Sequence, residues 1–162
     1  MKIVDLLTVD RVASKADVAS KKRALEYVSQ LLATSQASLS QSEIFDSLLG
    51  RERLGSTGLG SGVAIPHGRI EGLEQAVAAF IQLGDSVDYD AIDQEPVDLI
   101  FALLVPQEAT EEHLQILALI AEAFKNDELR DSLRKASSVE EILALLAEHD
   151  EGRAAEVMSS AV

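Results

Sequence analysis

Apolar residues recur along this chain in two rhythms, helical spacing and short continuous runs, and their alternation predicts the architecture. After a short apolar start, positions 16–22 are polar, and Ser20 is an N-cap candidate. Ala24, Leu25, Val28, Leu31 and Leu32 then return at helical spacing, toward a stop near Thr34 and Ser35. Ser40-Gln41-Ser42-Glu43 forms a capping box that opens a second helix, whose apolar face holds Ile44, Phe45, Leu48 and Leu49. A third helix opens at Thr110, with Leu114, Leu117, Ala118, Ala121 and Phe124 along one side. Asn126-Asp127 breaks it, and Asp127 is expected to cap a short helix running through Lys135. Ser138-Val139-Glu140-Glu141 is a second capping box, followed by Ile142, Leu143, Leu145 and Leu146.

The other rhythm predicts strands. Residues 97–105 are almost continuously apolar between Pro96 and Pro106, which suits an interior strand buried on both faces. Residues 75–83 read as a strand, although their alanines leave a helix open. The acidic stretch 84–94 reads as irregular, with a short edge strand around 87–89, and a further short strand is expected at 63–65. Together these elements predict an α/β protein: a mixed β-sheet flanked by helices on both faces, in a single domain spanning 1–162. Its core covers about 5–148, and 149–162 form a polar C-terminal tail expected to fray.

Neither rhythm accounts for the stretch between 55 and 69, where four of the nine glycines fall between positions 55 and 62. Glycine lets other groups approach the backbone closely and permits positive φ. Pro66 fixes its own φ and holds Ile65 extended, which places His67 at the end of the short strand. The familiar glycine-rich motifs fail here. Val63 stands where a dinucleotide fingerprint begun at Gly58 needs glycine, and no Gly-Lys-Ser/Thr follows the glycines. The serines lack the Gly-x-Ser-x-Gly elbow of a hydrolase.

Composition narrows the chemistry. The chain has no cysteine, which removes disulfides, thiolate metal sites and cysteine nucleophiles. The N-terminus does not read as a signal peptide and no run is long enough for a membrane span, so a cytoplasmic protein without membrane insertion is expected. A formal net charge of −14 argues against a nucleic-acid partner. Against that acidic background, Arg51, Arg53 and Arg69 around a single Glu52 read in one of two ways, as charges capping the helix that ends before the glycines or as a local anion site. Of the three histidines, His149 lies among acidic neighbours, whereas His67 and His113 stand at a strand end and a helix start, where groups in layered α/β proteins converge. Two histidines without carboxylates at ligand spacing make a poor metal site, and neither a metal nor a cofactor is expected. A phosphohistidine needs less: an accessible neutral imidazole, backbone amides and hydroxyls, and a cation for the phosphoryl oxygens.

The run Arg51-Glu52-Arg53-Leu54-Gly55-Ser56-Thr57-Gly58-Leu59-Gly60-Ser61-Gly62-Val63-Ala64-Ile65-Pro66-His67-Gly68 closely resembles the active-site block of fructose/mannitol-type enzyme IIA proteins of the phosphoenolpyruvate-dependent phosphotransferase system. Ser20-Lys21-Lys22-Arg23-Ala24-Leu25-Glu26, Ala91-Ile92-Asp93-Gln94-Glu95-Pro96-Val97-Asp98-Leu99 and His113-Leu114-Gln115 resemble its nitrogen-regulatory branch, IIA-Ntr. Leu59 and Ser61 stand where Ile and Asn are commoner. The resemblance implies that His67 accepts a phosphoryl group at Nε2 from a histidine-phosphorylated, HPr-like carrier of the nitrogen branch. It implies that His113 is the second active-site histidine and that Arg51 neutralises phosphoryl charge, and it puts Ser56 and Thr57 in the phosphate loop. The protein is then a regulator whose phosphorylation state controls target proteins, potassium-uptake systems or sensor kinases in this family. The alternative is a sugar-specific IIA that passes phosphate to a IIB component.

Overall fold

A computed structural model describes residues 1–160. Two 3₁₀ turns, Ile3–Leu6 and Val9–Arg11, lead into strand β1 (Val12–Ala16), helix α1 (Lys21–Leu32) and helix α2 (Gln41–Glu52). Strands β2 (Gly58–Gly60), β3 (Val63–Ala64), β4 (His67–Ile70), β5 (Val77–Val87) and β6 (Val97–Pro106) follow. Helices α3 (Glu111–Phe124), α4 (Asp127–Lys135) and α5 (Val139–Ser160) complete the order. The six strands form one mixed sheet in the order β1-β5-β6-β3-β2, with β4 also alongside β6. This is the expected mixed sheet with helices on both faces.

The apolar run 97–105 is the middle of that sheet. Successive side chains of a strand point to opposite faces, and β6 divides accordingly. Leu99, Phe101, Leu103 and Val105 join a core beneath α3, α4 and α5. Ile100, Ala102 and Leu104 join a second core beneath α1 and α2. Phe80 of β5, Phe101 of β6 and Phe124 of α3 meet with ring centroids 5.8–6.1 Å apart in the first of these cores.

Several caps match their sequence signals. The hydroxyls of Ser20, Ser40 and Ser138 accept from the backbone N–H of Arg23, Glu43 and Glu141, at 3.2, 3.1 and 3.1 Å. Elsewhere the fold corrects the expectations. Asn126, not Asp127, caps α4, its Oδ1 accepting from Leu129 N at 2.9 Å. The alanine-rich segment is strand and not helix, because β5 pairs with β1 on one edge and β6 on the other, and it continues to Val87 instead of leaving an edge strand at 87–89. The apolar start also contributes β1, which the sequence pattern did not announce. On α3 the buried stripe is Ile116, Ile120, Ala123 and Phe124, so Leu114 is exposed. Turning His113 inward rotates the helix that way, since 113, 116 and 120 share its face.

The C-terminal region departs most. Residues 149–160 continue α5, and Asp150, only 1% exposed, accepts the backbone N–H of Ile3 at 2.9 Å and of Val4 at 3.0 Å. That pairing joins groups 147 positions apart, which local pattern cannot reveal. The remainder of the expected tail, 161–162, lies outside the described residues.

Candidate active site

The site is built where one strand line is interrupted. Both β3 and β4 run parallel to β6 in a single register, Val63 opposite Leu99 and His67 opposite Leu103, with Ile65 and Pro66 between them. Pro66 has no N–H for a ladder, and Ile65 turns its own N–H to Thr57 O at 3.0 Å. The strand expected at 63–65 therefore stops at Ala64, and His67 opens the next strand instead of ending the first. Gly68 lets α2 close over β4: a Cβ there would overlap Ser47 Oγ.

His67 is half-buried, and its Nδ1 lies 2.9 Å from the carbonyl oxygen of Ile65. Only an N–H can make that contact, so Nδ1 carries the proton and Nε2 keeps its lone pair. Burial pulls the His67 pKa down most, and Arg51 nearby pulls the same way. The hydrogen bond to Ile65 and the charge of Glu52 oppose them. The result is a neutral, oriented imidazole at neutral pH.

The first turn of α3 brings His113 edge-on to His67, with ring centroids 5.4 Å apart and planes at 75°. Arg69, two residues after His67 on β4, donates its Nε–H to His113 Nδ1 at 3.4 Å. Burial, then His67 and Arg69, lower the His113 pKa. Arg51, in the last turn of α2, is tethered through Nη1 to Gly55 O at 2.8 Å. His67, His113 and Arg51 thus converge.

Ser56 and Thr57 are oriented differently. Ser56 Oγ donates to Tyr89 O and accepts from Gly58 N, both at 3.1 Å. Buried Thr57 gives its backbone N–H to Glu52 Oε2 at 3.1 Å, and its hydroxyl to Glu52 Oε1. These hydroxyls are engaged in holding the loop itself.

Beneath the loop lies a polar cluster that sequence reading missed. The Glu52 carboxylate also accepts from Tyr89 OH at 3.0 Å and pairs with Lys21 Nζ at 3.0 Å. The Lys21 ammonium sits 4.5 Å above the Tyr89 ring. Burial and the Glu52 charge push the Tyr89 phenol far above its ordinary pKa, which keeps it a donor. Glu52 was visible only as the lone acid among arginines, and nothing local links it to Tyr89, 37 positions on. Arg69 was counted as a nearby cation but its contact with His113 was not foreseen. Among the described residues no group of three or more His, Cys, Asp or Glu is placed to hold a metal ion, and no helix is long and apolar enough to cross a membrane.

The chain as a whole has counterparts among known proteins. Residues 5–149 match the family described as phosphoenolpyruvate-dependent sugar phosphotransferase system, EIIA 2. The nitrogen regulatory protein of Pseudomonas aeruginosa is 40% identical over 153 residues, covering 94% of this chain and 99% of that one. The crystal structure of nitrogen regulatory protein IIA-Ntr from Neisseria meningitidis is 48% identical with a TM-score of 0.83, covering 89% of this chain and 98% of that one. The fructose-specific EIIA component of Haloferax volcanii is more distant, 30% identical over 91% of this chain and 98% of its own. The chain belongs to the EIIA 2 family of the phosphotransferase system, and within it to the nitrogen-regulatory branch.

Proposed function

We propose that His67 is the phosphoryl acceptor of this nitrogen-regulatory phosphotransferase component, and that its phosphorylation state controls what the protein binds. The observation that carries this reading is the Nδ1–H contact to Ile65 O, which leaves Nε2 as the nucleophile beside Arg51 and His113. In the step, the Nε2 lone pair attacks the phosphorus of a phosphohistidine on an HPr-like carrier of the nitrogen branch. The P–N bond to the carrier breaks and its electron pair returns to the carrier's imidazole. The transition state is loose, so positioning and charge stabilisation do most of the work. Arg51 supplies positive charge to the phosphoryl oxygens and His113 a hydrogen-bond donor. Ser56 and Thr57 belong to the phosphate loop by keeping its amides in place.

A phosphoryl group adds about −1.5 to −2 charges and three strong acceptors. At the rim of His67 that charge repels an acidic or apolar partner surface which the unmodified protein accepts. Target proteins are then regulated from the cytoplasm, with potassium-uptake systems and sensor kinases as the classes suggested by the family resemblance. The greater identity to nitrogen regulatory proteins than to the fructose-specific component favours this over the sugar-transport alternative.

The test mixes the protein with phosphoenolpyruvate, the system's first enzyme and the nitrogen-branch carrier, followed by intact-mass analysis. One acid-labile phosphoryl group is expected, and none in His67→Ala. A label retained in His67→Ala, or none on the unaltered protein beside an active carrier, refutes the assignment.

A further inference from the structure

One atom of the site has no role in the contacts described so far. His113 is only 7% exposed, and its Nε2 is buried without a hydrogen-bond partner. Buried polar atoms are nearly always satisfied, and exceptions at functional sites call for an explanation. The other ring nitrogen supplies it. Nδ1 receives the Nε–H of Arg69 at 3.4 Å, and a guanidinium has donors only. That contact requires a bare Nδ1, which leaves a neutral ring with its single proton on Nε2.

Building on the phosphoryl-acceptor reading of His67, we infer that Arg69 is a positioning residue that fixes His113 in the Nε2–H tautomer and so reserves the unpaired donor for a phosphoryl oxygen carried by His67. The tautomer decides the sign of the interaction. An Nε2–H attracts a phosphoryl oxygen, whereas a bare Nε2 would present a lone pair to one. The backbone supports the arrangement, because residues i and i+2 of a strand face the same way and β4 is held against β6 with Arg69 opposite Val105. Ser47 Oγ further anchors the Arg69 carbonyl at 2.8 Å. His67 and Arg69 therefore address His113 from one strand, the first with a ring whose centroid lies 5.4 Å away and the second with the cation that orients its partner.

The tautomer is read directly from long-range ¹H–¹⁵N correlation of the ¹⁵N-labelled, unphosphorylated protein at a pH where both rings are neutral. His113 is expected to show a bare Nδ1 and a protonated Nε2. In Arg69→Met the Nδ1 resonance should move toward the average of two exchanging tautomers, and Arg69→Lys, which keeps a charged donor, should restore most of the original signature. Phosphoryl transfer to His67 should slow about tenfold in Arg69→Met, less than the roughly 10²–10³ lost with a direct charge-stabilising donor, and recover in Arg69→Lys. Arg69 is exposed, so the variants are expected to fold, and unchanged amide spectra away from the site verify it. A protonated Nδ1 in the unaltered protein overturns the inference, as does an unchanged Nδ1 resonance or an unchanged transfer rate in Arg69→Met. The tautomer is measured without any donor. If His67 takes up no phosphate while the Nδ1 signature stands, it is the acceptor reading that fails.

Discussion

Changing Glu52 to Gln alters almost no volume yet removes the one charge that ties three segments beneath the glycine loop. The carboxylate makes four contacts: Oε2 with Lys21 Nζ and Thr57 N, Oε1 with Tyr89 OH and Thr57 Oγ1. An amide offers one acceptor oxygen and one NH₂. With the NH₂ toward Lys21 and Thr57 N, donors would face donors, so the oxygen stays on that side and the NH₂ meets the two hydroxyls. Tyr89 and Thr57 then lose their charged acceptor, and Lys21 loses its counter-ion. A hydrogen bond to a charged group contributes about 1.5–3 kcal/mol, and breaking a buried ion pair costs about 3–5 kcal/mol. The Lys21 side chain is 25% exposed and recovers some hydration, which puts the expected loss near the lower bound, about 3 kcal/mol. That is a large share of the ~5–15 kcal/mol holding a typical domain together. Urea unfolding followed by circular dichroism measures it. Adding Lys21→Met to Glu52→Gln should cost little more, because the partner is already gone, and the cycle should return a coupling of at least about 1 kcal/mol. A loss below about 1 kcal/mol, or strict additivity, would refute the idea that this cluster holds the loop.

Three other outcomes are expected. Burial is the first cause lowering the pKa of both His67 and His113, so each folded ring binds its proton less readily than in the unfolded chain, whose pKa is about 6.5. The stability they contribute is full above that value and lost as pH falls through the depressed folded values. NMR titration should place both midpoints below about 6.5, with phosphorylation by the carrier independent of pH above it. Gly68→Ala should destabilise by about 1–3 kcal/mol in thermal unfolding, through the overlap with Ser47 Oγ, and Ser47→Ala in the same chain should recover more than half of the loss. Asp150→Ala should cost about 3 kcal/mol by leaving the Ile3 and Val4 amides without an acceptor, and hydrogen exchange at those two amides should lose its protection.

The helices were legible because their information is local. Ser20, Ser40 and Ser138 mark starts whose caps the structure contains, and 3.6-residue spacing identifies α1, α2 and α5 without any partner. The interior strand β6 was legible for a related reason: a strand covered on both faces must be nearly continuously apolar, and 97–105 is, with Asp98 near its start as the one exception. His67, His113 and Arg51 could be named as a set through resemblance to a family, and the folded chain brings them together.

What the sequence by itself determined, then, was the helices' starts, the sheet's interior strand and the candidate reacting residue. Tertiary structure decided everything that depends on pairing across long separations. Whether the alanine-rich stretch would be strand or helix was settled by its two neighbours β1 and β6, since an unpaired strand has no hydrogen-bonded partner to hold it. The rotation of α3 that exposes Leu114 follows from His113 turning inward, and the length of α5 from Asp150 meeting two amides at the other end of the chain. The proton positions on the two histidines were decided in the same way. Each is set by what the other ring nitrogen touches, Ile65 O for His67 and Arg69 for His113, and hydrogen-bond partners exist only once the sheet has assembled.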